Sequence, residues 1–102
     1  MTITRVQYAV SAEYAAHNKE NIAQVMKELR ALGRTDLRYS VFVEEDGRTF
    51  NHLIISNTDE ARERLRALET FKTFQSELRE NNPDVSPVTA NLSLVGSSYE
   101  LL

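Results

Sequence analysis

Four stretches of the chain alternate apolar and polar side chains with a period of two, and two longer stretches repeat at three and four residues. Residues 3–10, ITRVQYAV, put Val6, Tyr8 and Val10 on one side and Arg5, Gln7 and Ala9 on the other, which predicts a strand. Residues 37–44, LRYSVFVE, put Leu37, Tyr39, Val41 and Val43 on one face and Arg38, Ser40 and Phe42 on the other. The stretches TFNHLIIS at 49–56 and VTANLSLV at 88–95 predict two further strands, with Thr89, Asn91 and Ser93 opposite Val88, Ala90, Leu92 and Leu94 in the last. Between the first two strands, Ile22, Val25, Met26, Leu29 and Leu32 form one stripe of a helix of about 15 residues. Asn18 is its expected N-cap and Gly33 its stop. Asn57 and Glu60 resemble a capping box that opens a second helical region. There Ala61, Leu65 and Leu68 make one stripe, and Phe71, Phe74 and Leu78 make another, rotated by roughly 100° on a straight helix. A straight helix cannot bury both, so a break is expected near Glu69-Thr70, with Thr70 capping the second piece. Asn81-Asn82-Pro83 ends it, and Pro87 closes the loop before the last strand.

The Asp46-Gly47 pair between two alternating stretches predicts a hairpin, and its geometry decides a face. A two-residue turn pairs Val41 with His52 and puts His52 beside Tyr39. A three-residue turn with a bulge at Gly47 pairs Ser40 with His52 and sets His52 beside Arg38, Phe42 and Phe50. The bulged turn separates the aliphatic side chains better and is the expected one. A slip of one residue reverses every side chain.

The order strand, helix, strand, strand, helix, strand predicts an α+β, ferredoxin-like βαββαβ fold: a four-stranded antiparallel sheet with the helices on one face. The other face is expected to hold Arg5, Gln7, Ala9, Arg38, Ser40, Phe42, Thr89, Asn91 and Ser93. It is too apolar to favour water throughout. Two copies packed through it would form a homodimeric α/β barrel with a part-polar lumen suited to a small molecule.

Composition narrows the field. The chain has 102 residues, 41% hydrophobic and 26% charged, as expected for one globular domain over 1–102. A net charge of −3 argues against a nucleic-acid partner. The absence of cysteine removes disulfides and thiolate chemistry. No apolar run is long enough for a membrane span, and the start of the chain does not read as a signal peptide, so a cytoplasmic address is expected.

Residues Tyr8 to Glu13 with Asn18 and Ile22, LRYSVF at 37–42, DGRTFNH at 46–52, FKTFQ at 71–75 and VGSSY at 95–99 resemble the dimeric α/β-barrel superfamily that includes the antibiotic-biosynthesis-type monooxygenases. The resemblance implies a dimer and, in members with activity, oxygenation without a cofactor, isomerisation or dehydration of small, often aromatic or polyketide-like molecules. The haem-degrading branch uses an asparagine, a tryptophan and a histidine together, and this chain has no tryptophan.

His52 is the candidate catalytic residue, because an imidazole titrates near neutral pH and can act as general base. Arg38, Phe42, Phe50 and Asn91 are the candidate ligand-binding residues, with Arg38 or Asn91 stabilising an oxyanion. If His52 packs beneath the helices instead, the catalytic reading of it falls. Tyr8 and Tyr39 are read as core that could line a pocket, Arg5 as an interface or anion-holding residue, Gln75 as solvent-facing or loop-capping with orientation of a ligand carbonyl or water as the alternative, and His17 as exposed. No metal site follows from the spacing of His17 and His52, and no cofactor is implied. The alternatives to an enzyme are a dimer that only binds a small ligand and a dimer that contacts other proteins. A cavity of about 300 Å³ or more around His52 separates the first two from the third.

Overall fold

The computed structural model describes residues 1–102. Strand β1 spans Thr2–Ala9, helix α1 Ala12–Leu32, strands β2 and β3 Leu37–Val43 and Thr49–Ser56, helices α2 and α3 Asp59–Ala67 and Glu69–Glu80, and strand β4 Val85–Leu92. The strands form one antiparallel sheet in the order β2-β3-β1-β4. This is the ferredoxin-like α+β arrangement that the element order predicts.

The cap of helix α1 stands seven residues ahead of the one expected at Asn18. Ser11 is the N-cap, and its side chain accepts from the backbone N–H of Tyr14. The segment AEYAAHNKEN is rich in good helix formers, so nothing in it stops the helix from reaching back to Ser11. Asn18 is therefore not a cap but a fully buried residue one turn beyond Tyr14 and one turn before Ile22. Gly33 ends the helix in the left-handed conformation at φ 61°.

The second helical region breaks at Leu68, where ψ of 131° leaves the helical range, so that α2 buries Ala61 and Leu65 while α3 buries Phe71, Phe74 and Leu78. Rotated stripes thus reach the same sheet face by a break between two helices. The capping differs from expectation. Thr58, not Asn57, caps α2 by accepting from the N–H of Ala61, and Thr70 donates instead to Glu28 of α1 at 2.6 Å. Asn82 takes a positive φ of 45° after α3, a conformation its short amide side chain tolerates.

The hairpin between β2 and β3 pairs Val41 with His52 and Val43 with Phe50. The bulged register is therefore overturned. Asp46 explains why. Its carboxylate accepts from the hydroxyl and backbone N–H of Thr49 and from the N–H of Arg48, while Gly47 donates to Glu44 O at 2.9 Å with φ 69°. This closes the loop with Glu44 opposite Thr49 and sets the parity of every pair behind it. The same contacts, the Thr49 hydroxyl first, hold the Asp46 carboxyl down at about 2.

Val6, Tyr8, Tyr39, Val41, Phe50, His52 and Ile54 consequently face the helices. The last strand is also reversed relative to expectation. Thr4 pairs with Asn91 and Val6 with Thr89, so Asn91 and Thr89 lie on the helix side, and Val88, Ala90 and Leu92 lie on the open face. Pro87 sits inside β4 at a register irregularity, on an edge strand where a missing N–H is tolerated. The open face therefore carries Ile3, Leu53, Ile55, Phe42, Val88 and Leu92, and is more apolar than the pattern alone implies. Phe42 and Val88 are 59% and 58% exposed on it.

Candidate functional site

Helix α3 leans over the centre of the sheet and leaves a cavity of about 320 Å³ between them. Its lining is mostly apolar: Val6, Ile54, Phe71, Phe74 and Leu78, with Pro87 at one side. Its polar groups gather at two ends. Tyr8, Tyr39 and His52 form the inner end, and Gln75 and Arg79, both exposed residues of α3, form the rim.

The inner end is a hydrogen-bonded row. Asn18 Nδ2 donates to Tyr8 Oη at 2.9 Å, Tyr8 Oη lies 2.8 Å from His52 Nε2, and Tyr39 Oη lies 2.6 Å from His52 Nδ1. Each partner comes from a different element: α1, β1, β3 and β2. Pairing of Val6 and Val41 with His52 brings the two tyrosines to either side of the imidazole. Phe74 covers the imidazole with ring centroids 5.3 Å apart, and Phe50 stacks on Tyr8 at 5.6 Å.

A neutral imidazole holds one N–H, so which ring nitrogen of His52 carries it sets the direction of the row. With the proton at Nδ1, Tyr8 donates to Nε2, Nδ1–H donates to Tyr39 Oη, and the hydroxyl proton of Tyr39 is free for a group in the cavity, polarised by the donation behind it. The cost is Asn18 Oδ1, which is buried without a partner.

Burial keeps all three rings neutral. The His52 imidazolium is disfavoured so strongly that its pKa is pushed down to about 4, and no carboxylate is among its hydrogen-bond partners to offset this. Burial raises Tyr39 well above the usual phenol value, helped by its proximity to Tyr8. Tyr8 rises for the same first reason, although the Asn18 bond opposes it. Both tyrosines are donors at neutral pH.

The candidate ligand residues read from sequence are not brought together. His52 lies beneath the helices, 3% exposed, and so the reading of it as the catalytic residue falls. Phe50 is core, not lining. Arg38 and Phe42 are exposed on the open face, away from the imidazole, because they occupy the opposite parity of β2. Asn91 is on the helix side but exposed near the end of β4, and does not line the cavity. Arg5 is on the open face, with a buried Nε that has no partner. His17 is at the surface, where its Nε2 meets Glu77 Oε1 at 2.6 Å and joins α1 to α3. Among the residues described, no group of three histidine, cysteine, aspartate or glutamate side chains could hold a metal ion.

Asn18 is the residue that the sequence reading missed. Tyr14, Asn18 and Ile22 stand four apart, ahead of Val25, and an asparagine inside an apolar helical stripe is the signal that marks a buried polar contact.

Solved structures carry the same arrangement of elements. An antibiotic biosynthesis monooxygenase superposes with a TM-score of 0.75 at 14% identity, over 94% of this chain and 100% of that one. The fold is that of the antibiotic biosynthesis monooxygenases. A candidate monooxygenase of this kind from Nitrosomonas europaea matches with a TM-score of 0.77 at 11% identity, over 94% of this chain and all of that one. A variant of SnoaB, a cofactor-independent oxygenase from Streptomyces nogalater, matches at 0.68 and 15% identity, over 97% and 98% of the two chains. The sequence matches no protein-family profile, and no curated protein is similar to it. At these identities the monooxygenase likeness is one of fold. No helix of the chain is long and apolar enough to cross a membrane.

Proposed function

We propose that this chain is a cofactor-free enzyme, monooxygenase-like or isomerase-like, that binds a small aromatic molecule between α3 and the sheet and works as a homodimer joined through the open sheet faces. The observation that carries the reading is the Asn18–Tyr8–His52–Tyr39 row at the wall of an apolar cavity; the reading takes His52 as protonated at Nδ1, which leaves the Tyr39 hydroxyl proton unclaimed. Such a proton is a fixed donor for an oxygen that gains negative charge, and it acts where water is largely replaced by apolar side chains. Tyr39 is the catalytic donor in this scheme, and His52 positions and polarises it.

The row also limits the substrate. Both imidazole nitrogens are occupied by tyrosine hydroxyls, and no carboxylate lines the cavity. The substrate must therefore ionise readily: a phenol loses its proton to water before it enters, and an enolisable ketone loses to water at the rim the proton of a carbon turned away from Tyr39. The resulting enolate or phenolate is held by Tyr39. Reprotonation at another carbon gives isomerisation, and electron transfer from the carbanion to dioxygen begins oxygenation. The likeness to a fold that includes a cofactor-independent oxygenase supports the second course.

The dimer rests on Phe42, Val88 and Leu92, exposed apolar side chains on the two edge strands of one sheet face. The test is mass spectrometry of molecules that leave the native protein on denaturation, followed by turnover of the molecule so identified. Tyr39→Phe, which keeps the ring and removes the donor, is expected to lower kcat about 100-fold or more with little change in KM. Unchanged turnover in Tyr39→Phe would remove the row from the mechanism. A single-subunit mass at all concentrations in sedimentation would overturn the dimer.

A further inference from the structure

A second depression of about 350 Å³ adjoins the cavity and shares with it Val6, Ile54, Phe71 and Gln75. Arg62 and Arg66 of α2 line this depression, and Arg79 lines the cavity itself. Neither lining contains an aspartate or a glutamate. The chain as a whole has more acidic than basic residues, 15 against 12. Three of the twelve cationic side chains thus line this pair of depressions with no acidic side chain among them.

The acidic neighbours of Arg79 are engaged or turned elsewhere. Glu77 accepts from Asn21 and bonds His17 on the α1 side of the helix. Glu80 lies close enough to Tyr14 on that same side to disfavour its ionisation. Asp84, beyond the helix, is paired with Arg48. Arg79 itself has no ion-pair partner, and neither have Arg62 and Arg66. Arg62 makes one long contact, 3.4 Å to Thr4 Oγ1.

Resting on the reading of the cavity as a ligand site, we infer that its ligand is an anion with two distinct ends: a hydroxyl- or carbonyl-bearing aromatic ring that enters toward Tyr39, and a carboxylate or similar negative group that stays at the rim with Arg79, backed by Arg66. The inner end offers hydroxyl donors but no cation, so a permanently ionised carboxylate is better held elsewhere. The rim is open to water and tolerates it. A negative group remote from the reacting ring thus orients the ring without entering the apolar part, and it draws the ligand in through the field of three guanidinium groups.

The test compares two probes on the full-length protein by titration calorimetry at low salt. The first is 6-hydroxy-2-naphthoate, which has a phenol at one end and a carboxylate at the other. The second is 2-naphthol, the same ring and hydroxyl without the carboxylate. The naphthoate is expected to bind about fivefold more tightly, the scale of one exposed charge pair. Arg79→Gln removes that preference, Arg79→Lys keeps most of it, and Arg64→Gln, on a residue that lines neither depression, leaves it whole. Tyr39→Phe weakens both probes alike. Equal affinities for the two probes, or a preference that survives the double variant Arg66→Gln/Arg79→Gln, would overturn the inference and leave the cavity as a ligand site. Binding of neither probe would overturn the ligand site and the inference together.

Discussion

Phe50→Ala is expected to lower the free energy of unfolding by about 3–5 kcal/mol, whereas Phe42→Ala is expected to leave the subunit within about 0.5 kcal/mol of the parent. The two residues pair one position off register on adjacent strands, and sequence reading places them on one face. In the structure Phe50 is 1% exposed, stacked on Tyr8 and enclosed by the helices. Removing its ring leaves a void that the sheet cannot collapse to fill, because Tyr8 is held on its other side by Asn18 and His52. Phe42 is 59% exposed on the opposite face. Its removal takes contact from the proposed dimer instead. Urea unfolding at several protein concentrations separates the effects: Phe50→Ala shifts the midpoint at every concentration, and Phe42→Ala weakens association. Equal stability losses in both variants would show that the hairpin register is other than described.

Acidification should destabilise the fold well before its carboxylates are protonated. His52 takes up its proton at about 4 when folded, against an ordinary value near 6.5 in the unfolded chain. Between these values the unfolded chain binds the proton and the folded chain does not, so stability falls as the pH falls. Above about pH 7.5 both states are neutral at this site and the contribution is flat. The total loss across the window is about 3 kcal/mol. The carboxylates with lowered values act in the same direction but later. Asp46 is held at about 2, and Asp36 and Glu77 also lie below their usual values, held first by Arg34 and by His17 respectively. Their stabilising contributions disappear at pH values below the histidine window. His52→Gln, which keeps polar atoms in the row, is therefore expected to flatten the stability profile between pH 6.5 and 4.5. A parent and variant with parallel profiles over that range would mean that the imidazole is charged in the folded protein.

The elements and their order were legible because each rests on short-range pattern. Val6-Tyr8-Val10 and Leu37-Tyr39-Val41 alternate as strands must, and Ile22-Val25-Leu29 repeats as a helix must. The break between α2 and α3 was legible for the same reason, since two stripes on different sides cannot share one straight axis. The site was less so. The sequence marks His52 as a candidate catalytic residue and Tyr8 and Tyr39 as core that could line a pocket, but it does not bring the three together; what unites them is the pairing of Val6 and Val41 with His52. Asn91 went astray in a similar way. The alternation in β4 is clean, but alternation says which residues share a face and not which face it is. There the apolar row of Val88 and Leu92 faces away from the helices.

The sequence by itself determined the βαββαβ order, the helix break and the Gly33 stop, since these depend on residues a turn or a few positions apart. Only the tertiary structure decided the side on which His52 lies and the row that joins Asn18, Tyr8, His52 and Tyr39. That choice turns on how Asp46 closes a loop and on where α3 rests. A shift of one residue in a strand costs the local pattern nothing, yet it reverses every side chain in the sheet.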